Sequence, residues 1–247
     1  KLLLMWVANL VFYLGAIGIL ADGVRWGIYG GLYLIIGLIL MMARRVVPFF
    51  IERGVGYPVE LYNSRIIDIG GLVLFLVFFI VELLEPYSVT SGYLAIILAI
   101  LYLVRLIGWH TPGIWRKPLL WSLYLALAFI DFGFVSHAFT VFVDTPPYLS
   151  IHAFAYGGIG LITLGMMTRV TLGHTGREVQ EPPRAFGSAL MVLALGALFR
   201  VIFPLLFPGQ TFVWVICSQL LWMLAFLIVF IVCAPMLLLS RVDGRPG

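Results

Sequence analysis

Residues 152–177 read HAFAYGGIGLITLGMMTRVTLGHTGR, and this stretch decides the class of fold. From Ala153 to Met167 it holds mainly apolar and small residues, without an acidic or basic side chain among them. Together with the residues from position 148, the segment reaches the length of about 20 residues that a helix needs to cross a bilayer. A basic, glycine-flanked loop with His174 follows. The sequence therefore predicts a membrane-spanning helix with one histidine near each end.

The composition extends this interpretation to the whole chain. Of its 247 residues, 63% are hydrophobic and 11% are charged, whereas soluble domains are about 45–50% apolar and about 25% charged. A soluble globular protein is therefore excluded. The net charge of +4 comes without a long basic run, so nothing supports nucleic-acid binding. We expect an all-α, polytopic transmembrane bundle that forms a single domain over residues 1–247 and contacts membrane lipids.

Eight segments are long and apolar enough to span, and the connections between them carry turn and charge signals. Apart from Arg25 and Arg200, every lysine and arginine falls in alternate connections or at the ends of the chain. By the positive-inside rule, this alternation places both ends, with Lys1 and Arg245, in the cytoplasm. The predicted spans are 2–21, 26–43, 66–84, 89–108, 118–138, 148–168, 185–206 and 211–239.

Ionisable residues on four of these helices fall at one depth, in the outer third of the bilayer. Each would cost at least ~2.5 kcal/mol on insertion scales unless it faced the bundle interior and found a partner. One interpretation is a structural ion pair between Asp131 and Arg200. The other is a layer that surrounds a cofactor, a metal or a proton path, with His137 or His152 as ligand. The layer comprises Glu82, Asp131, His137, which we expect to end the fifth helix, His152 and Arg200.

A second cluster lies at the cytoplasmic side. Its basic residues are expected there from topology alone, but arginine also binds anions bidentately, including haem propionates and lipid phosphates. A haem held by two histidines could use only His137 with His152, or His110 with His174. Glycines midway along the sixth helix favour tight helix packing and would also admit a flat macrocycle. The inner cluster comprises Arg105, His110, Arg116, Arg169, His174 and Arg177.

The stretch quoted above resembles the NnrS family of bacterial membrane proteins. The resemblance rests on His152-Ala153, Gly157, Ile159-Gly160, Met167-Thr168-Arg169-Val170 and Leu172-Gly173-His174-Thr175-Gly176-Arg177, and is supported by RVVPFF at 45–50 and PLLW at 118–121.

The resemblance implies an inner-membrane protein that carries haem b and copper and serves nitric oxide metabolism or resistance to nitrosative stress, without a settled reaction. His152 and His174 are the first ligand candidates, followed by His137 and His110. Arg169 and Arg177 would help to bind a cofactor. Family members are expected to have about twelve spans, so four would precede this chain, together with a His-Glu-Met segment. Tyr124 stands where the family is expected to have a histidine.

Two other classes of function remain open from the residues alone. The first is a cofactor-free channel or transporter that uses the layer of Asp131, Arg200 and Glu82 as its path. The second is a non-catalytic membrane subunit of a respiratory complex, held by other subunits. If the chain is instead the haem- and copper-binding protein that the resemblance implies, the expected partner is nitric oxide.

Overall fold

Helices are the only regular secondary structure in residues 2–244, the part of the chain that the computed structural model describes. Lys1 and Arg245, two residues of the predicted topology, lie outside this part. A short 3₁₀ turn, Pro112–Arg116, precedes the fifth helix. The main helices are α1 Leu2–Ala16, α2 Gly23–Gly54, α3 Arg65–Leu84, α4 Val89–Trp109, α5 Pro118–Val143, α6 Tyr148–His174, α7 Arg184–Leu206 and α8 Thr211–Leu238.

Seven of these helices, α2 to α8, are long and apolar enough to cross a membrane. This confirms the predicted polytopic bundle. The first predicted span is shorter than expected, since α1 has 15 residues and reaches only about 22 Å at 1.5 Å per residue. The chain turns back after Gly18, whose φ is +80°. α1 then packs so closely against the start of α2 that a Cβ on Gly23 would lie 2.7 Å from the Gly15 Cα.

The second helix is longer than predicted, and the predicted end at residue 43 is wrong. α2 continues through Arg44-Arg45 and Pro48 to Gly54. Pro48 cannot donate a backbone hydrogen bond, but Val47, Pro48 and Ile51 are all buried against the bundle. Burial of this face offsets the lost hydrogen bond and keeps the segment helical. Two other helices also exceed their predicted ends, α5 by reaching Val143 and α6 by reaching His174.

α5 is the central helix, and its span is more buried than any other described span. It contacts α4 along most of its length, packs against α6, and also touches α2 and α7. The sequence of α5 is apolar around its whole circumference, which is typical of a helix surrounded by others. Two of its residues, Asp131 and His137, belong to polar groups described below.

The helices run up and down, so their ends collect at two ends of the bundle. What we call the basic end holds the last residues of α2, α4, α6 and α8. There, Arg105 Nη2 lies 2.8 Å from Asp68 Oδ1 of α3, and Arg241 Nη1 donates to the carbonyl of His174 over 3.0 Å. At the opposite end, Arg25 Nη2 donates to the Leu83 carbonyl over 2.8 Å. The assignment of the basic end to the cytoplasm stays a prediction.

Candidate functional site

A cleft of about 630 Å³ opens at the basic end between α2 and α6. This volume lies within the range of about 300–1,000 Å³ that is usual for ligand sites. The last turns of α2, which were predicted to be a connection, form one wall. The other wall is the end of α6 and the turn that follows it. The lining residues are Phe49, Phe50, Arg53, Gly54, Met166, Arg169, Val170, Gly173, His174, Arg177, Glu178, Val179 and Gln180.

Three arginines and one glutamate, Glu178, line the cleft, so its charged side chains are mainly cationic. The Arg169 guanidinium lies over the Phe50 ring, 4.0 Å from its centre, and that of Arg53 lies 5.5 Å from the centre of the Phe49 ring. Arg169 also donates to the Leu119 carbonyl over 3.4 Å, whereas its Nε is buried without a hydrogen-bond partner. Such cation–π contacts hold a guanidinium in place and leave N–H donors free. The arrangement is therefore suited to binding an anion.

His174 is the last residue of α6, and not part of a loop as predicted. Helix α6 continues to it because the Leu172 carbonyl accepts from the Arg177 amide over 2.9 Å, which caps the helix end. Gly176, with φ of +73°, allows this left-handed cap. A turn with Gly176 in the left-handed region therefore follows His174. The imidazole of His174 lines the cleft, and within residues 2–244 neither of its ring nitrogens makes a hydrogen bond.

An apolar groove of about 530 Å³ continues from the cleft towards the middle of the bundle. Met166 and Val170 line both spaces, so the two are contiguous. Side chains such as Ile39, Val46 and Ile162 line the groove. The cleft and groove together form one amphipathic site, with cations and an imidazole at the mouth and apolar walls beyond.

At the opposite end of the bundle, His137 forms a buried pair with Glu82. The His137 Nε2 lies 3.3 Å from Glu82 Oε2 and 3.1 Å from Ser91 Oγ, and the two side chains are only 1% and 2% exposed. The Tyr87 amide donates to the same Glu82 oxygen over 3.1 Å. The prediction that His137 ends α5 is wrong, because six further helical residues follow to Val143.

Aromatic rings enclose this pair. Tyr87 stacks on the His137 ring with centroids 5.1 Å apart, and Phe78 meets it edge-on at 5.0 Å. Tyr87 holds this position at φ of +54°, a strained backbone for a bulky residue. Burial raises the pKa of its phenol above the usual range, which keeps the ring neutral. Tyr87 covers one face of the His137 ring, Phe78 lies edge-on to it, and Nε2 is occupied, whereas the Nδ1 is buried without a hydrogen-bond partner. His137 is therefore enclosed by protein side chains.

His152 and Arg200 form a third polar group, on α6 and α7. His152 immediately precedes a π-helical segment, Ala153–Gly160, and Arg200 lies within another, Leu198–Ile202. Arg200 is an electrostatic neighbour of His152 and donates to Ser218 Oγ over 3.5 Å. In the structure the neighbour of His152 is therefore the cation Arg200, and His152 does not lie beside His137.

The ion pair expected between Asp131 and Arg200 is absent from residues 2–244. The two residues share a depth but face different helices. Asp131 lines a groove between α5 and α4, whereas Arg200 bonds to Ser218 of α8. Rotation of each helix about its own axis separates them.

His110 caps α4 and is exposed at the basic end. Its Nε2 accepts a hydrogen bond from Trp115 Nε1 over 3.2 Å, and its ring lies 6.0 Å from that of Tyr124. Tyr124 itself donates to the Leu106 carbonyl over 2.9 Å. His110 therefore lies on the α4–α5 side and does not line the cleft with His174. Neither predicted histidine pair meets in the described part of the chain.

The glycines of α6 are used for close helix packing. Gly157 and Gly158 face Phe129 and Ile130 of α5. A Cβ on Gly160 would lie 2.6 Å from Cζ3 of Trp222 on α8. Side chains thus occupy the space next to these glycines, which confirms the packing interpretation and leaves no room there for a macrocycle.

Of the predicted cofactor residues, the cleft brings together Arg169, His174 and Arg177, whereas His110, His137 and His152 each lie elsewhere. Arg105 and Arg116 are also outside its lining. The wall residues Phe50 and Arg53 were not predicted as site residues. The RVVPFF motif that contains Phe50 was a usable signal, but only once α2 is known to continue through it. Residues 2–244 contain no group of three His, Cys, Asp or Glu side chains that could hold a metal ion.

One comparison with known proteins identifies a relationship. The model of the protein family described as NnrS protein matches residues 1–241. No curated protein and no solved structure matches the chain. The matched range covers every helix of the bundle, including both walls of the cleft.

Proposed function

The chain belongs to the NnrS family, and from this premise we propose that it is a membrane protein of the nitric oxide response that binds haem b between α2 and α6. The observation that carries the proposal is the meeting of a free imidazole, three arginines and an apolar groove at one place. Haem is itself amphipathic, with an apolar macrocycle and two carboxylates. The chemistry of the site matches both parts.

Each part of the site would have its own role. His174 would hold the haem iron through its imidazole, while Arg53, Arg169 and Arg177 would bind the propionates through charge-assisted hydrogen bonds. The apolar walls beyond Met166 would exclude water from the macrocycle. Bound in this way, the haem would supply an iron centre to which nitric oxide could bind.

The other histidines support this choice by their surroundings. His137 is enclosed and bonded to Glu82, and His110 accepts from Trp115. His152 lies beside Arg200 and lines neither the cleft nor the apolar groove. His174 alone combines a free ring with a neighbouring space of sufficient volume among the histidines described.

Copper, the second cofactor that the resemblance implies, does not fit the described residues in the same way. Imidazole and thiolate are its usual ligands, yet no three such groups meet between residues 2 and 244. We therefore assign copper no site in this chain and no part in the proposal.

We also propose that the protein lies in the bacterial inner membrane, with its basic end in the cytoplasm.

The test is to purify the protein from cells supplied with haem precursor and record reduced-minus-oxidised spectra and pyridine haemochromogen content. We expect stoichiometric b-type haem whose Soret band shifts when nitric oxide is added. A folded sample without haem would overturn the proposal. Tight phospholipid in its place would show that the cleft serves an anionic lipid, since the same arginines would bind a phosphate.

The two rival classes give different results. A cofactor-free transporter would lack haem and support flux in liposomes that persists in His152→Ala and His174→Ala variants. A non-catalytic subunit would co-purify with fixed partners. Either result without haem would replace the proposed function.

A further inference from the structure

A separate groove of about 380 Å³ lies between α4 and α5, away from the cleft. Its rim is apolar and faces outward, with Ile100 and Phe139 each about half exposed. Ala99 and Ala138 give it depth, because their small side chains leave space between the helices. The lining consists of Ile96, Ala99, Ile100, Leu103, Asp131, Val135, Ala138, Phe139, Phe142 and Val143.

Asp131 is the single polar side chain in this lining. It is 7% exposed, and its Oδ1 is buried without a hydrogen-bond partner. No salt bridge of the described residues includes it. A carboxyl group inside a membrane bundle is costly unless it is paired. Every other lining residue is apolar, so no other side chain of the groove supplies a partner, and the space beside Asp131 is open to a ligand.

We propose that the groove binds a membrane quinone or quinol, with the polar ring substituent hydrogen-bonded to Asp131 and the tail along the apolar rim. An ionised carboxylate accepts a hydrogen bond from a quinol hydroxyl, and a protonated carboxyl donates one to a quinone carbonyl. Asp131 can therefore partner both redox forms of the ligand. Phe139 and Phe142 add aromatic surface for the ring and tail.

The depth of Asp131 argues against two other occupants. It lies 13 residues after the start of α5 at Pro118 and 12 before its end at Val143, or about 20 Å and about 18 Å at 1.5 Å per residue. Asp131 is therefore near the middle of the helix and away from the phospholipid headgroups at either end. An acyl chain offers no hydrogen-bond donor. A partner helix has its backbone N–H groups satisfied internally and would need a long polar side chain to reach past Ala99.

The binding test uses the full chain in nanodiscs of zwitterionic lipid with decylubiquinone and its reduced form as probes. We expect saturable binding that is about tenfold weaker in Asp131→Leu, the equivalent of one good hydrogen bond. Ala99→Phe, which fills the groove and keeps the carboxyl group, should abolish binding. Ser136→Ala, on the same helix but outside the lining, is the matched control and should bind as the unchanged protein does.

A second readout reports on the carboxyl group itself. Infrared difference spectra should show a carboxyl band that changes when the quinone binds and that is missing in Asp131→Leu. Equal binding in Asp131→Leu and the control, no saturable binding by a folded sample, or cross-linking that places a second copy of the chain in the groove would each overturn the proposal. Haem content is not involved in any of these readouts, so this inference stands or falls separately from the proposed function.

Discussion

The guanidinium of Arg169 rests on the ring of Phe50, 4.0 Å from its centre, so that a cation of α6 is held by an aromatic side chain of α2. This contact joins the two walls of the basic cleft. It also shows why the extension of α2 past Arg44-Arg45 matters, because Phe50 would not face α6 if the helix ended at residue 43.

Replacing Phe50 with leucine tests this contact. A partly buried cation–π interaction is worth about 1–2 kcal/mol, and its loss lets Arg169 leave its position over the cleft. We expect haem to dissociate several-fold more readily from Phe50→Leu, measured by transfer of haem to apomyoglobin. Phe79→Leu removes an aromatic ring of α3 and is the control. Equal haem loss from both variants would show that the contact does not position Arg169 for the ligand.

The turn that follows His174 depends on Gly176. At φ of +73°, a side chain is strained, and a Cβ there would lie 2.8 Å from the Asp243 carboxyl carbon. Gly176→Ala should therefore lower the free energy of unfolding by about 1 kcal/mol and weaken haem binding. Thermal unfolding in detergent provides the first measurement and spectral titration the second.

Gly173 is the matched control for this change, since it is helical and a Cβ there would have nothing within 4 Å. Gly173→Ala should be neutral or stabilise the helix by about 0.5–1 kcal/mol. If both alanine variants behaved alike, the left-handed cap would not be what holds the end of α6.

The pair of Glu82 and His137 is expected to be structural. Removing one partner of a buried pair costs about 3–5 kcal/mol, because the other partner stays buried and unpaired. Glu82→Ala should therefore lower the unfolding temperature strongly, and Glu82→Gln, which keeps an acceptor for the Tyr87 amide, should do so less. The haem content of the molecules that remain folded should be unchanged. Specific loss of haem from folded Glu82→Gln would place the pair in the functional site.

Close packing at Gly160 predicts a contrast between two glycines. Gly160→Ala places a methyl group 2.6 Å from Trp222, whereas Gly70 of α3 has nothing within 4 Å of a Cβ. Overpacking typically costs about 1–3 kcal/mol, so Gly160→Ala should destabilise the protein in thermal unfolding while Gly70→Ala should not. A neutral Gly160→Ala would mean that α6 and α8 can separate without cost.

Most helices can be predicted from the sequence, because each apolar segment shows its own length and each connection shows its own basic residues. It does not predict the end of α2, since Arg44-Arg45 and Pro48 are local signals of a connection. Burial of Val47 and Ile51 against distant helices overrides them. Because this packing extends α2 to Gly54, Arg53 lies on the helix and lines one wall of the cleft.

Depth can be calculated from sequence, but helix rotation cannot. Asp131 and Arg200 share a layer, yet packing turns one towards α4 and the other towards α8. The predicted layer also includes Glu82 and His137, and these two side chains do form a pair in the structure. For His174, the family resemblance indicates the residue, and only the structure shows the space beside it.

The haem content of His174→Ala beside that of His110→Ala tests the central claim most directly. Both histidines are exposed at the basic end, and only His174 lines the cleft. We predict that folded His174→Ala contains little or no haem b, whereas His110→Ala retains the content of the unchanged protein. Full haem content with an unaltered spectrum in His174→Ala would contradict the assignment of the cleft as the haem site.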